Sequence, residues 1–171
     1  METFETERLI LRKILPSDED RLFLLDSNSD VLKYIGVPVV ENVNQIRSMI
    51  EMLQIQYNEN GIGRWAVIEK ESGLLIGWSG LKYYTETLNN HSNFYDLGYR
   101  FLPEYWGRGY ATETSKFWLD YAFNTFNQSE VYATTDVNHW ASKNVLQKVG
   151  FEWVDTFDDD GDLTDWWKIE K

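Results

Sequence analysis

The chain of 171 residues contains no cysteine and only two histidines, His91 and His139. Without cysteine there is no disulfide, no thiolate metal site and no cysteine nucleophile. Two histidines are too few for a histidine-rich metal site, so we expect no bound metal. No apolar run reaches the roughly 18 residues needed to span a bilayer, and residues 1–7 are acidic, unlike a signal peptide. We therefore expect a soluble cytoplasmic protein without a membrane partner.

Basic residues are also scarce, since 16 Lys and Arg stand against 28 Asp and Glu, for a formal net charge of −12. Broad contact with nucleic acid needs clustered Lys and Arg, so the composition argues against a nucleic-acid partner. An acidic protein instead favours cationic partners such as amines, polyamines, basic peptides or aminoglycosides. Acidity also serves solubility alone, so the charge is only a modest indication of the substrate.

The composition predicts one folded domain spanning residues 1–171, because 43% of the residues are hydrophobic and 16% are aromatic. The order of the predicted elements is mixed, which favours an α+β or mixed α/β fold. Apolar periodicity predicts helices over residues 16–26, 44–58, 112–126 and 141–149. It predicts strands over residues 8–14, 64–70, 74–83, 94–102, 130–135, 151–157 and 163–169.

An acidic run, Asp158 to Asp162, lies between the last two predicted strands. A calcium loop of the EF-hand type needs acidic ligands at its first and twelfth positions when glycine is sixth. Placing Gly161 sixth puts Thr156 first and Trp167 twelfth, and neither fits. The run is therefore predicted to be a solvated hairpin turn.

A glycine-rich turn, Trp106-Gly107-Arg108-Gly109-Tyr110-Ala111, joins an aromatic strand to a helix that starts near Thr112. Amides of such a turn and of the first helical turn lack internal partners, and they attract phosphate oxygens. The turn thus predicts a diphosphate-bearing cofactor, although its spacing matches neither the dinucleotide fingerprint nor the P-loop. A plain strand–loop–helix corner fits the spacing equally well. The predicted binding amides are those of Gly107, Arg108, Gly109, Tyr110, Ala111 and Thr112.

The same turn resembles the acetyl-coenzyme A pyrophosphate loop of the GNAT family of N-acetyltransferases, Q/R-x-x-G-x-G/A, with Trp106 at the first position. Other blocks resemble the ribosomal-protein N-terminal acetyltransferases (the RimJ/RimL type), and they occur in family order. These blocks are Thr6-Glu7-Arg8-Leu9-Ile10-Leu11-Arg12, Tyr34-Ile35-Gly36, Trp65-Ala66-Val67-Ile68, Gly73-Leu74-Leu75-Ile76-Gly77 and residues 142–151.

The resemblance implies a mixed, mostly antiparallel sheet whose two central strands splay apart around acetyl-CoA. It implies transfer of the acetyl group by direct attack of a primary amine, either a protein N-terminus or a small cationic amine. The alternative is a non-catalytic acyl-CoA-binding sensor or assembly subunit on the same fold. Either a monomer or a homodimer is compatible with these features.

On the predicted strand 94–102, the resemblance implies that the backbone at Phe101 and Leu102 pairs with the pantetheine arm, with an oxyanion donor within residues 99–101. Asp96 matches a place where several relatives carry the general base, acting here directly or through water. The alternative for Asp96 is an ion pair with a neighbouring cation.

In the segment 138–151, Leu146 stands where many family members have a tyrosine acid, and Ser142 matches a serine that can hydrogen-bond the leaving thiolate. Ser142 could equally be an ordinary residue of the helix N-terminus. His139 occupies the usual place of a cofactor-binding Asn, with Asn138 beside it. Further candidates are Asn144 and Lys148 at the cofactor's edge, His139 as a base, and Glu41, Tyr83 and Tyr84 on the substrate side.

Overall fold

The computed structural model describes residues 2–171, which form one eight-stranded sheet in the order β1-β2-β3-β4-β5-β6-β8-β7. Every neighbouring pair is antiparallel except β5 and β6. The strands are β1 (Thr3–Glu5), β2 (Leu9–Lys13), β3 (Arg64–Glu69), β4 (Leu75–Tyr84), β5 (Phe94–Phe101), β6 (Glu130–Asp136), β7 (Glu152–Asp159) and β8 (Asp162–Glu170).

Five α-helices connect and cover the strands in the described residues: α1 (Glu19–Asp26), α2 (Ser29–Leu32), α3 (Val43–Asn60), α4 (Tyr110–Asn124) and α5 (Trp140–Lys148). Local sequence explains the ends of α3. The Asn42 side chain accepts from the Asn44 amide, the Gln45 side chain accepts from the Asn42 amide, and Gly61 closes the helix at φ +70°.

The predicted helices and strands all occur, with small shifts at their ends. Two short elements, β1 and α2, were not predicted, because three or four residues are too few to show a period. The acidic run is a hairpin turn as predicted, and its central residues Asp160 and Gly161 have φ +53° and +100°.

The centre of the sheet is split, which confirms the mixed fold with splayed strands. β5 pairs with β4 along its whole length, from Phe94 opposite Tyr84 to Phe101 opposite Gly77. It pairs with β6 at one position only, Asp96 opposite Tyr132. Beyond that point the two strands diverge and leave a gap inside the sheet.

A large aromatic cluster fills the space between the sheet and α4. Trp118 of α4 is fully buried and meets Trp65 of β3 edge-on, with ring centroids 5.4 Å apart. Phe4 of β1 stacks on the other side of Trp65 at 5.0 Å. The short strand β1 therefore completes the core, although its sequence carries little signal.

We expect Trp118→Ala to lower the free energy of unfolding by about 3–5 kcal/mol, because it leaves a large cavity against Trp65. Trp140→Ala is a matched control, since Trp140 is 69% exposed, and it should change stability by about 0.5 kcal/mol or less. Urea denaturation of both variants measures the difference. Equal losses would contradict the packing described here.

Candidate active site

A cavity of about 580 Å³ occupies the gap between β5 and β6. Its wall comes from these two strands, from residues of β3 and β4, from α5 and His139, from residues 33–37 after α2, and from the hairpin of β7 and β8. Because successive side chains of a strand point to opposite faces of the sheet, β5 contributes side chains to the cavity from both faces. On β5, Arg100 points towards α1, where it pairs with Asp26 at 2.5 Å, whereas Tyr99 points towards α5.

Asp96 lies on the Arg100 side of β5 and lines the cavity, with 5% of its surface exposed. Its carboxylate is ion-paired with the guanidinium of Arg64 from β3, which also donates to the Asp96 carbonyl at 2.8 Å. Burial raises the pKa of Asp96, while the charge and hydrogen bond of Arg64 work in the opposite direction. The predicted base is thus both desolvated and held by a cation.

Arg64 reaches Asp96 across β4 and β5 because Gly98 has no side chain. A Cβ at Gly98 would lie 2.6 Å from Arg64 Nη2. Sequence reasoning missed Arg64 because it is 32 residues from Asp96. Glycines at Gly80 and Gly98, which face each other in the sheet, are the signal that a long side chain crosses there.

Ser142 lies near the start of α5 and also lines the cavity. Its hydroxyl oxygen is 2.9 Å from the phenol oxygen of Tyr99, which is also 3.2 Å from the Ser142 carbonyl. Burial raises the pKa of Tyr99, so the phenol stays protonated. The structure thus brings Ser142 to the face of β5 opposite to Asp96.

The glycine-rich turn is exposed and stands at the N-terminus of α4. Gly107 and Gly109 have φ +73° and +82°, and Gly109 is the residue preceding the helix. Among the described residues, the amides from Gly107 to Thr112 have no acceptor. They form a concave set of free donors beside the positive end of a 15-residue helix. This arrangement fits a pyrophosphate.

A network from β2 and β3 braces this turn. Arg8 donates to the Arg108 carbonyl at 2.8 Å, pairs with Glu113 at 2.7 Å and lies over the Tyr110 ring. The Tyr110 phenol donates to Glu69 at 2.5 Å, and this contact is the main cause of the lowered pKa of Glu69. Arg8 belongs to a block of the resemblance, but the sequence did not indicate this bracing role.

The end of β5 has fewer free backbone groups than the turn. The Leu102 amide donates to Ile76 of β4 at 3.0 Å, and the Phe101 carbonyl accepts from the Trp106 indole at 2.7 Å. A carbonyl oxygen has two lone pairs, so Phe101 retains capacity for a second donor. Trp106, the departure from the family motif, therefore anchors the turn to β5.

His139, rather than Asn138, stands on the cavity wall. Its ring stacks on Tyr34 with centroids 4.6 Å apart, and burial lowers its pKa. Asn138, Asn144 and Lys148 are exposed and outside the cavity lining. Of the proposed substrate-side residues, Tyr84 lines the cavity, whereas Tyr83 and Glu41 do not.

Three carboxylates near the chain reversals of the sheet line the cavity, together with the cations Lys33 and Lys82. Asp136 of β6 and Asp159 and Asp162 of the β7–β8 hairpin all line it. Burial, followed by repulsion from the neighbouring Asp160, Asp162 and Asp158, raises the pKa of Asp159. The hairpin is an exposed turn as predicted, and two of its carboxylates also face the cavity.

The acetyltransferase (GNAT) domain family matches residues 8–152. The chain belongs to this family. It is an acetyl-CoA-dependent acyltransferase, as predicted. An N-acetyltransferase of Bacillus subtilis (strain 168), YoaA, described as uncharacterized, is 32% identical over 148 residues, covering 86% of this chain and 81% of YoaA.

Solved structures of the family share the fold. A ribosomal L7/L12 alpha-N-protein acetyltransferase (RimL) in complex with coenzyme A gives a TM-score of 0.83 at 14% identity, covering 99% of this chain and 98% of that one. Spermidine N-acetyltransferase from Vibrio cholerae, in complex with CoA and spermine, gives a TM-score of 0.78 at 19% identity, covering 96% of each chain.

Two searches of the described residues gave negative results. Among residues 2–171, no helix is long and apolar enough to cross a membrane. The same residues contain no group of three or more His, Cys, Asp or Glu side chains arranged to hold a metal ion.

Proposed function

We propose that this enzyme transfers the acetyl group of acetyl-CoA to a primary amine on a positively charged acceptor, by direct attack. The observation that carries the proposal is the gap between β5 and β6. It joins a carboxylate-lined mouth to the face on which Ser142 lies, and the glycine-rich turn follows directly after β5.

For the cofactor, we assign the pyrophosphate to the amides of Gly107, Arg108, Gly109, Tyr110, Ala111 and Thr112. These donors are free, and neither glycine presents a side chain to the ligand. We assign the pantetheine arm to the backbone near Phe101 and Leu102, and the outer edge of the cofactor to Asn138 and Asn144. Asn138 and Asn144 are exposed, whereas the side chains of Phe101 and Leu102 are buried at the end of β5. His139, on the cavity wall, is an alternative to Asn138.

For the acceptor, Asp136, Asp159 and Asp162 favour a cation, in agreement with the net charge of −12. The acceptor is then a protein N-terminus or a small polyamine-like molecule. The names of the two structural neighbours include one example of each kind.

For the chemistry, the acceptor nitrogen attacks the thioester carbonyl carbon, the C–N bond forms and the C–S bond breaks. Before the attack, Asp96 takes one proton of the ammonium group, directly or through a water molecule, since its raised pKa makes it a better base than an exposed aspartate. The second proton, which nitrogen loses as the amide forms, passes through solvent to the leaving thiolate. The Ser142 hydroxyl donates a hydrogen bond to the thiolate that leaves. Asp96 points to one face of β5, and Ser142 of α5 lies against the other face. The proposed base and the proposed thiolate donor are therefore on opposite sides of this strand.

The sequence alone left open a non-catalytic acyl-CoA-binding sensor or assembly subunit, and membership of the acetyltransferase family argues against it. The ion pair between Arg64 and Asp96 bears on the base instead, since a carboxylate committed to a cation accepts a proton less readily. Cytoplasmic location and a monomeric or homodimeric state remain predictions.

Thiol release from acetyl-CoA tests the function directly. The panel is spermidine, spermine, an aminoglycoside and short peptides with free N-termini, with neutral and acidic primary amines of similar size as controls. We expect turnover with at least one cationic acceptor and slower turnover with the controls. Acetyl-CoA binding without turnover on any cationic amine of the panel would contradict the proposed acceptor class.

We expect Gly109→Val to weaken acetyl-CoA binding at least tenfold, about 1.4 kcal/mol, measured by calorimetry. The added side chain would stand where the pyrophosphate approaches, and φ +82° is unfavourable for valine. Gly61→Val is the matched control, because Gly61 has φ +70° and open space but lies at the end of α3. Similar affinities for both variants would remove the turn from the cofactor site.

We expect Asp96→Asn to lower kcat/KM by roughly 10²-fold, with a smaller loss as the pH rises, because more of the amine is then already neutral. Asp26→Asn is the control, since Asp26 is 2% exposed and pairs with Arg100, which lines the cavity. Each substitution leaves a comparable arginine without its partner. A loss independent of pH would assign Asp96 to positioning, and no loss would assign the base to water or His139.

A further inference from the structure

The phenol of Tyr99 links β5 to α5 by hydrogen bonds. Tyr99 projects from β5 at the point where this strand has already separated from β6, and among the described residues its phenol is hydrogen-bonded to Ser142 alone. The phenol oxygen lies 2.9 Å from Ser142 Oγ and 3.2 Å from the Ser142 carbonyl oxygen. One residue of α5 is therefore contacted twice by one side chain of β5.

The hydroxyl protons of Tyr99 and Ser142 and the Ser142 carbonyl oxygen allow two hydrogen-bond arrangements in this contact. In the first, Tyr99 donates to Ser142 Oγ, and the serine proton is free to point into the cavity. In the second, Ser142 donates to the Tyr99 oxygen, and Tyr99 donates to the Ser142 carbonyl, so that both protons are used within the pair. Only the first arrangement lets Ser142 donate to a third atom.

We propose that Tyr99 is a positioning residue that turns the Ser142 hydroxyl proton towards the leaving thiolate. The proposal rests on the thiolate role given to Ser142 above. As negative charge develops on sulfur, the Ser142 proton is drawn towards it, and the serine oxygen becomes a better acceptor for the phenol. The two hydrogen bonds then strengthen together.

No proton leaves Tyr99 in this scheme. The C–N bond forms and the C–S bond breaks as before, and the first ammonium proton goes to Asp96 or water. The Ser142 hydrogen bond stabilises the thiolate until the second proton from nitrogen reaches it through solvent. The phenol suits this role because its pKa is raised by burial, so it remains a donor at the pH of the reaction. Tyr99 supports Ser142 and does not itself contact the sulfur.

The test is a double-mutant cycle with Tyr99→Phe, Ser142→Ala and the double variant. It uses acetyl-CoA and the fastest acceptor from the amine panel. We expect each single variant to lower kcat about tenfold while the Kd for acetyl-CoA changes less than twofold, since the contact acts mainly in the transition state. In the Ser142→Ala background, Tyr99→Phe should have no further effect.

Tyr95→Phe is the matched control, because Tyr95 is on the same face of β5 and makes no contact with Ser142. It should keep the wild-type kcat. Thermal melts of all variants show whether each remains folded.

The outcomes separate this inference from the proposed function. If Ser142→Ala keeps the wild-type kcat, the thiolate role of Ser142 is wrong, and the inference falls with it. If Ser142→Ala is slow but Tyr99→Phe is not, only the inference is overturned. An equal loss from Tyr99→Phe with and without Ser142, or a weaker Kd, would mean that Tyr99 merely holds α5 in place.

Discussion

The single pairing between β5 and β6, Asp96 opposite Tyr132, is the constraint on which the rest of the site depends. Past this pair, two strands run through the middle of a sheet without bonding to each other. Backbone groups at such internal edges need partners, and water or an extended ligand can supply them. The gap therefore costs the fold backbone hydrogen bonds and opens the sheet between β5 and β6.

Strand alternation then assigns the chemistry to the two faces. Asp96 and Arg100 belong to the face covered by α1, and Tyr99 to the face covered by α5. A shift of one residue in the register of β5 would exchange these sets. The full pairing of β5 with β4 prevents such a shift. The continuous side of β5 thus keeps the proposed base and the proposed thiolate donor on opposite sides.

The charged side chains near the site form pairs between different elements. Each arginine near it is matched with an acid from another element: Arg64 with Asp96, Arg100 with Asp26, and Arg8 with Glu113. The cavity lining also holds Lys33 and Lys82 beside the carboxylates Asp136, Asp159 and Asp162, so charges of both signs face the cavity. The proposed cationic acceptor would meet these three carboxylates, which are separate from the three arginine pairs.

The amino-acid sequence by itself determined the type and order of most elements, the glycine-rich turn before α4 and the exclusion of cysteine chemistry. These features depend on composition and on the spacing of neighbouring residues, and a helix, strand or turn is set by such short-range spacing. It also indicated Asp96 and Ser142, through the resemblance, but their roles stay predictions.

Only the tertiary structure decided which side chains meet. Arg64 is 32 residues from Asp96, Tyr99 is 43 from Ser142, and Arg8 is 105 from Glu113. It also placed His139 rather than Asn138 on the cavity wall and brought Asp159 and Asp162 of the solvated hairpin to the cavity lining. Such contacts follow from strand order, register and the face to which each side chain points, and no pattern within one segment contains that information.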